Sequence, residues 1–413
     1  MLKQNLDHEV RDIYKLDKQL SRVWKQITST LSDDSIQLIE KYDTELVNLG
    51  IAKATRIKQL KIIHSISRKI NKNWSDVTKN DLDKLVKDIM NEHGDVNGDE
   101  TESSRDFKKI LKLFFRWFKL GSRDYKEVGD PEETRKIRLR KPKDKITREN
   151  LLEDQDLEKL LMACGENLRD RAFISVHFEA GTRPGEILSL QLKHVEFDKN
   201  GARINVDGKT GARPIRLVSS SPNLAAWCNA HPMRDNPESP LWILINKKNY
   251  GKPMTYVAAK AMVERRCKMA KIPKRVNLKL FRHTAATSMA KILTDAEMKK
   301  RHGWTRSSNM PSRYVHLVDS DVEEKILNHY GIDEKSKSDK SKNLPKFCPV
   351  CELPNSPESK ICTKCGKPLD LKTAVDIDEE KDERISQLES KMEKIIHKMD
   401  LLAKTTESNN LDD

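Results

Sequence analysis

Between Ala202 and Val218 the apolar residues leave the helical spacing of three and four and alternate instead. Ala202-Arg203-Ile204-Asn205-Val206 reads as one strand, Asp207-Gly208 as a hairpin signal, and Arg213 to Val218 as the return strand, with Lys209 at the tip. The chain before this hairpin is patterned for helices. Ile36, Ile39 and Leu46 mark one, Ile57, Leu60, Ile63 and Ile66 a second, and Leu82, Leu85 and Ile89 a third. Phe107, Ile110, Leu111, Phe114, Phe115, Trp117 and Phe118 make a strongly apolar fourth, whose aromatic stripe is expected in a core. A mainly α chain with a small β-hairpin follows, an α+β fold class.

The 413 residues suffice for two or three domains. Leu6, Val10, Ile13, Leu20, Val23 and Ile27 mark an N-terminal amphipathic helix within residues 1–33, expected to pack on the helical domain of residues 34–120, with an oligomer contact as the alternative. Residues 121–146 read as a basic linker in which Arg138, Arg140, Lys141 and Lys143 follow phosphates without reading bases. A second domain is expected over residues 147–331. A Lys-, Ser- and Asp-rich flexible linker covers 332–346, a small cysteine module 347–370, and a charged helix 376–404. Lys and Arg number 78 against 64 Asp and Glu, a net charge of +14 that points to a polyanionic partner, with double-stranded DNA the default. No run of 18 apolar residues reads as a membrane span, and Met1-Leu2-Lys3-Gln4 opens without an apolar signal region. Four of the seven cysteines form one spaced set, which fits a reducing, cytoplasmic compartment alongside the nucleoid.

Chemistry concentrates between Lys279 and His316. Lys279 and Arg282 are three residues apart and fall on one helix face. Thr294-Asp295-Ala296-Glu297 is a capping box that starts a short helix, Gly303 is its natural stop, and Trp304 and Tyr314 follow. Upstream, Pro184 suits the first turn of a helix, so Arg183 projects from a loop-to-helix junction and Glu186 lies three on, placed to orient it. Arginine forks grip two phosphate oxygens at once. Fixed cations around a phosphodiester stabilise the charge that grows as a phenol oxygen attacks it, with no metal or nucleotide required.

Arg183 in its Gly-Thr-Arg-Pro-Gly-Glu setting, Arg282-His283-Thr284 and the later Tyr314 resemble the tyrosine recombinase (phage integrase) family. The resemblance spans about Asp34 to His316 and is most specific from Gly181 to Tyr314. It implies a helical core-binding domain before a catalytic domain, Arg183 and Arg282 on the phosphate, and Lys209 protonating the leaving 5′ oxygen. Trp304 corresponds to a family position held by histidine or tryptophan, with His302 the competitor for that role. Tyr314 is the implied nucleophile and Tyr330 the nearest alternative. Lys279 departs from the histidine that is common three residues before the second arginine. The interval from Trp304 to Tyr314 is one residue longer than usual. The resemblance implies a 3′-phosphotyrosine intermediate and a tetramer on two duplexes. A type IB topoisomerase-like activity and a non-catalytic DNA-binding regulator remain open.

Cys348-Pro-Val-Cys351 and Cys362-Thr-Lys-Cys365-Gly366 are two C-x-x-C pairs, read as a zinc ribbon with a closed structural Cys₄ site. Ile385, Leu388, Met392, Ile395, Met399 and Leu402 form a short heptad seam, read as a coiled coil for oligomerisation.

Overall fold

A computed structural model describes residues 13–142, 147–208, 211–315, 345–370 and 384–392, together with Thr373 and Ile377. The chain divides between Ile146 and Thr147 into two compact units.

The first unit is helical: α1 (Leu16–Thr30), α2 (Asp33–Asn48), α3 (Lys53–Ile70), α4 (Lys79–His93), α5 (Glu102–Leu120), and short α6 (Tyr125–Val128) and α7 (Glu132–Arg135). Thr78 with Asp81, and Thr101 with Ser104, close reciprocal caps at the starts of α4 and α5. The stripe on α5 faces inward: Phe114 meets Trp74 and Tyr42 edge-on at 4.7 and 5.0 Å. Val23 and Ile27 of α1 are buried in the same core, so this part of the expected helix packs on the helical domain, while Leu6 and Val10 lie outside the described residues. The expected linker behaves differently over residues 121–140. Asp130 pairs with Lys112 and Arg116 at 2.8 and 2.6 Å, and Ile137 is buried. Arg123 adds a hydrogen bond to Gln59 at 3.1 Å and a place over the Tyr42 ring, and Lys112 donates to the Ile137 carbonyl at 3.1 Å. Arg138, Arg140 and Lys141 stay exposed, and Lys143 lies outside the described residues.

The second unit is built around α9 (Leu168–Ala180), whose Ala172, Phe173, Ile174 and Val176 are fully buried. Around it are α8 (Asp154–Met162), α10 (Pro184–Leu188), α11 (Ser221–Asn229), α12 (Tyr256–Met269), α13 (Leu278–Ala290), α14 (Asp295–His302) and α15 (Ser312–Val315). The sheet is an antiparallel meander of three strands: β1 (Val195–Asp198), β2 (Gly201–Val206) and β3 (Arg213–Leu217). Val195 pairs with Ile204, and Ile204 with Ile215. Ala202, Ile204 and Val206 point inward while Arg203 faces solvent, as the alternation requires. The expected hairpin is therefore two strands of three. β1 escapes the sequence reading because Val-Glu-Phe-Asp is short and its residues are half-buried or exposed. Glu179, near the end of α9, takes the backbone N–H groups of Val218, Ser219 and Ser220 at 2.7, 3.2 and 2.8 Å, tying the sheet to the helix.

A two-stranded ribbon, β4 (Lys346–Phe347) and β5 (Pro354–Asn355), belongs to the second unit. Its Glu358 meets Arg171 and Asn223, each at 3.1 Å. Residues 384–392 are helical, with Ile385, Leu388 and Met392 all exposed. Ile395, Met399 and Leu402 of the expected seam, the linker through residue 344, and Tyr330 lie outside the described residues. No described helix is long and apolar enough to cross a membrane.

Candidate active site

The site starts where α9 stops. Gly181 ends the helix in the left-handed region at φ 59°. The chain turns, Thr182 is buried, and Pro184 opens α10 with Arg183 just before it. The Glu186 carboxylate, only 3% exposed, takes the Arg183 backbone N–H at 2.8 Å and its Nη1 at 2.6 Å. Glu186 also takes Arg213 Nη1 and Nη2 at 3.2 and 2.8 Å, across from the start of β3. Burial alone would raise the Glu186 carboxyl, but the hydrogen bonds from Arg213 and Arg183 bring it below its ordinary range. Gly208, at the other end of the hairpin loop, lies against the same carboxylate, with no room for a Cβ. Lys209 itself lies outside the described residues.

Helix α14 supplies the second half of the frame. The capping box at Thr294 forms, Glu297 accepting the Thr294 N–H at 2.8 Å, and Gly303 closes the helix at φ 60°. The last carbonyls of a helix lack partners within it and carry its negative end. Here three consecutive ones each hold a different guanidinium. Arg213 Nε donates to Arg301 O at 2.9 Å, Arg282 Nη2 to His302 O at 2.6 Å, and Arg183 Nη2 to Gly303 O at 2.9 Å. Arg282 Nη1 donates in addition to Gly181 O at 3.0 Å. Arg282 is buried, and that burial, with the neighbouring Arg183 cation, lowers its pKa to about 10, so it stays charged at neutral pH.

Aromatic rings complete the site. Trp304 stacks on His302 at 5.0 Å and on Tyr314 at 5.6 Å, the latter within 5° of parallel, and the Arg282 guanidinium lies 5.5 Å from the indole centroid. His302 is fully buried, and that burial, with Arg282 and Arg301 nearby, lowers its pKa to about 3. A neutral, enclosed imidazole supports the indole from behind, which leaves Trp304 as the ring facing Tyr314. Tyr314 is 1% exposed, and its Oη lies 2.9 Å from His283 Nδ1.

Arg183, Glu186, Arg282, His302, Trp304 and Tyr314 thus meet in one chain. Lys279 sits exposed in the first turn of α13, its side chain on the solvent side. Two contributors lie beyond the sequence reading of the site: Arg213, which shares Glu186, and His283, which meets the phenol. His283 had one available signal, its position four residues after Lys279 on the same helix face.

The ribbon cysteines can hold a metal. Cys348, Cys351, Cys362 and Cys365 present Sγ atoms within 4.8 Å of one another, with Cys348 to Cys365 at 3.5 Å and Cys351 to Cys362 at 3.6 Å. A tetrahedral zinc with Zn–S near 2.3 Å sets sulfurs about 3.8 Å apart. All seven cysteines are unlinked thiols.

Residues 150–321 match the phage integrase family. The tyrosine recombinase XerA of Saccharolobus solfataricus is 26% identical over 157 residues, 38% of this chain and 50% of that protein. Transposase A of transposon Tn554 from Staphylococcus aureus is 25% identical over 216 residues, 49% of this chain and 57% of that protein. The matches therefore span about half the length of these curated relatives. A crystal structure of a lambda integrase dimer bound to a COC′ core site shares the fold with TM-score 0.52 at 16% identity, over 67% of this chain and 76% of that one.

Proposed function

We propose that this chain, whose residues 150–321 match the phage integrase family, is a site-specific DNA recombinase of the tyrosine type. The observation that carries this reading is the phenol of Tyr314 stacked on Trp304 beside Arg282, which shares the α14 carbonyl frame with Arg183. Arg183 and Arg282 bind the non-bridging oxygens of the scissile phosphate, Lys279 adds charge from the exposed side, and Trp304 packs the nucleophile. Glu186 orients Arg183 and does not touch DNA. Tyr314 Oη attacks phosphorus, the P–O5′ bond breaks, and Lys209 gives the leaving oxygen its proton. The product is a 3′-phosphotyrosine that keeps the bond energy, and a 5′-hydroxyl from another strand reverses the step. Tyr314 is 1% exposed, so its phenol has to be uncovered before a phosphate reaches it.

Double-stranded DNA is the substrate, supported by the net charge of +14 and by exposed Arg138, Arg140 and Lys141. The matched solved structures include a lambda integrase dimer bound to a COC′ core site and a lambda integrase tetramer bound to a Holliday junction, which supports a tetramer on paired sites here. Ile385, Leu388 and Met392 offer an exposed apolar row for that association. The ribbon cysteines hold a structural zinc, which closes the module and takes no part in strand transfer.

The test uses a pool of nicked duplexes with a randomised centre, in which loss of a short strand traps the covalent product. Wild type should form a protein–DNA adduct that Tyr314→Phe does not. Binding without any adduct would leave only the regulator; relaxation of supercoiled plasmid without strand exchange would favour the topoisomerase.

A further inference from the structure

The family resemblance leaves a gap in the chemistry. A phenol that attacks phosphorus must lose its proton, and a neutral histidine is suited to receive it. Position 279, where the family commonly has histidine, holds a lysine, and a lysine ammonium has donors but no acceptor. One helical turn further along the same face of α13 stands His283. Its Nδ1 lies 2.9 Å from Tyr314 Oη, within the range a base needs, and the two rings are 6.0 Å apart and tilted by 33°. His283 is half-buried, so the ring keeps a path to solvent for exchanging the proton.

We propose that His283 is the catalytic base of this chain, accepting the Tyr314 proton on Nδ1 while Lys279 serves only as a phosphate-side cation. This rests on the recombinase reading. The imidazole starts neutral with its proton on Nε2, so that Nδ1 accepts from the phenol. As the Oη–P bond forms and the P–O5′ bond breaks, the phenol proton passes to Nδ1, and the leaving oxygen takes a proton from Lys209. The protein therefore gains one proton and gives one. In the reverse step Lys209 recovers its proton from the attacking 5′-hydroxyl, and the imidazolium returns the other to Tyr314. Arg282, next in the chain, lies close enough for its charge to favour the phenolate.

The duplex captured by wild type from the randomised pool is resynthesised in two forms, one with an ordinary phosphodiester and one with sulfur in place of the 5′-bridging oxygen. A sulfur leaving group departs without a proton. His283→Ala should slow adduct formation by roughly 10²- to 10⁴-fold on both forms, the range for loss of a positioned acid or base. Added imidazole should restore part of the rate, and DNA affinity should stay within about twofold of wild type, since a base adds nothing to ground-state binding. His283→Gln, which keeps the volume, should behave like His283→Ala without the imidazole rescue. Three results would overturn the proposal: a wild-type rate in both variants, rescue by sulfur, which would make His283 an acid, or faster adduct formation, which would make it a latch. The DNA-free protein gives a second reading. ¹⁵N-histidine spectra should show His283 protonated on Nε2, with an Nδ1 shift that moves in Tyr314→Phe; a proton fixed on Nδ1 would refute the assignment. A wild type that captures no duplex counts against the recombinase reading, and the spectra still decide the tautomer.

Discussion

Replacing Glu186 with alanine removes the one carboxylate shared by Arg183 and Arg213. Four donor atoms lose their acceptor: Arg183 N and Nη1, and Arg213 Nη1 and Nη2. Arg213 is 9% exposed at its side chain, so its charge stays buried, with the Arg301 carbonyl as its remaining acceptor among the described residues. Breaking a buried pair from one side costs about 3–5 kcal/mol. Arg183, at 35% side-chain exposure, can turn to water and adds at most about 1 kcal/mol. For a domain of this size the loss corresponds to a melting shift of roughly 6–20 °C. The assay can be confined to the second unit, because all seven cysteines lie beyond Ile146. Pulsed thiol labelling of buried Cys164 and Cys267 should accelerate by roughly two to four orders of magnitude, at about 1.4 kcal/mol per decade. Glu186→Leu combined with Arg213→Met should recover all but about 1–2 kcal/mol, since an apolar pair replaces the buried charges and leaves one backbone N–H unpaired. Adduct formation should stay impaired in that double variant, because Arg183 has lost its clamp. A single variant within 1 kcal/mol of wild type, or a double variant no better than the single, would refute the reasoning.

Gly181→Ala puts a Cβ about 2.5 Å from the Cβ of Ala285 at φ 59°, and should cost roughly 2–5 kcal/mol in urea unfolding while weakening the Gly181 carbonyl's hold on Arg282. His177 and His302 are both lowered by burial to about 3. Between pH 6.5 and 3 the unfolded chain binds two protons that the folded one refuses, so stability should fall by roughly 2.7 kcal/mol per pH unit as the pH drops through that window. Urea midpoints from pH 7.5 to 5 read the slope, and His177→Leu should halve it. Cys362→Ser or strong chelation should release one zinc per chain, seen by atomic absorption. It should open the ribbon thiols and free Glu358 from Arg171, yet lower the labelling-detected stability of Cys164 by no more than about 1 kcal/mol, because that pair is partly solvated.

Much of the frame is written in short-range patterns. The cap at Thr294, the glycine stop at Gly303, Pro184 opening α10 and the alternation of β2 and β3 need only neighbours within a turn or across a tight hairpin. The α5 stripe faces inward because its period matches one helix face. The docking of residues 121–140 was not legible, since Asp130 and Ile137 are two residues in a polar run and their partners lie on α5 and elsewhere in the core. Strand β1 was missed because a four-residue segment carries too little periodicity to stand out.

From the residue order alone come the helix-rich class and the hairpin, consequences of backbone preference and local periodicity, and the paired cysteines, a metal-ligand spacing; the grouping of Arg183, Arg282, Trp304 and Tyr314 comes from the resemblance to the tyrosine recombinase family. Tertiary packing decided what those residues touch. Three arginines converge on the carbonyls of Arg301, His302 and Gly303, one carboxylate serves both Arg183 and Arg213, and His283 meets the phenol in a contact the family pattern at position 279 does not indicate. Apart from the local Arg183–Glu186 pair, such contacts join residues 20 to 120 positions apart, and only a folded core fixes the directions in which their donors point.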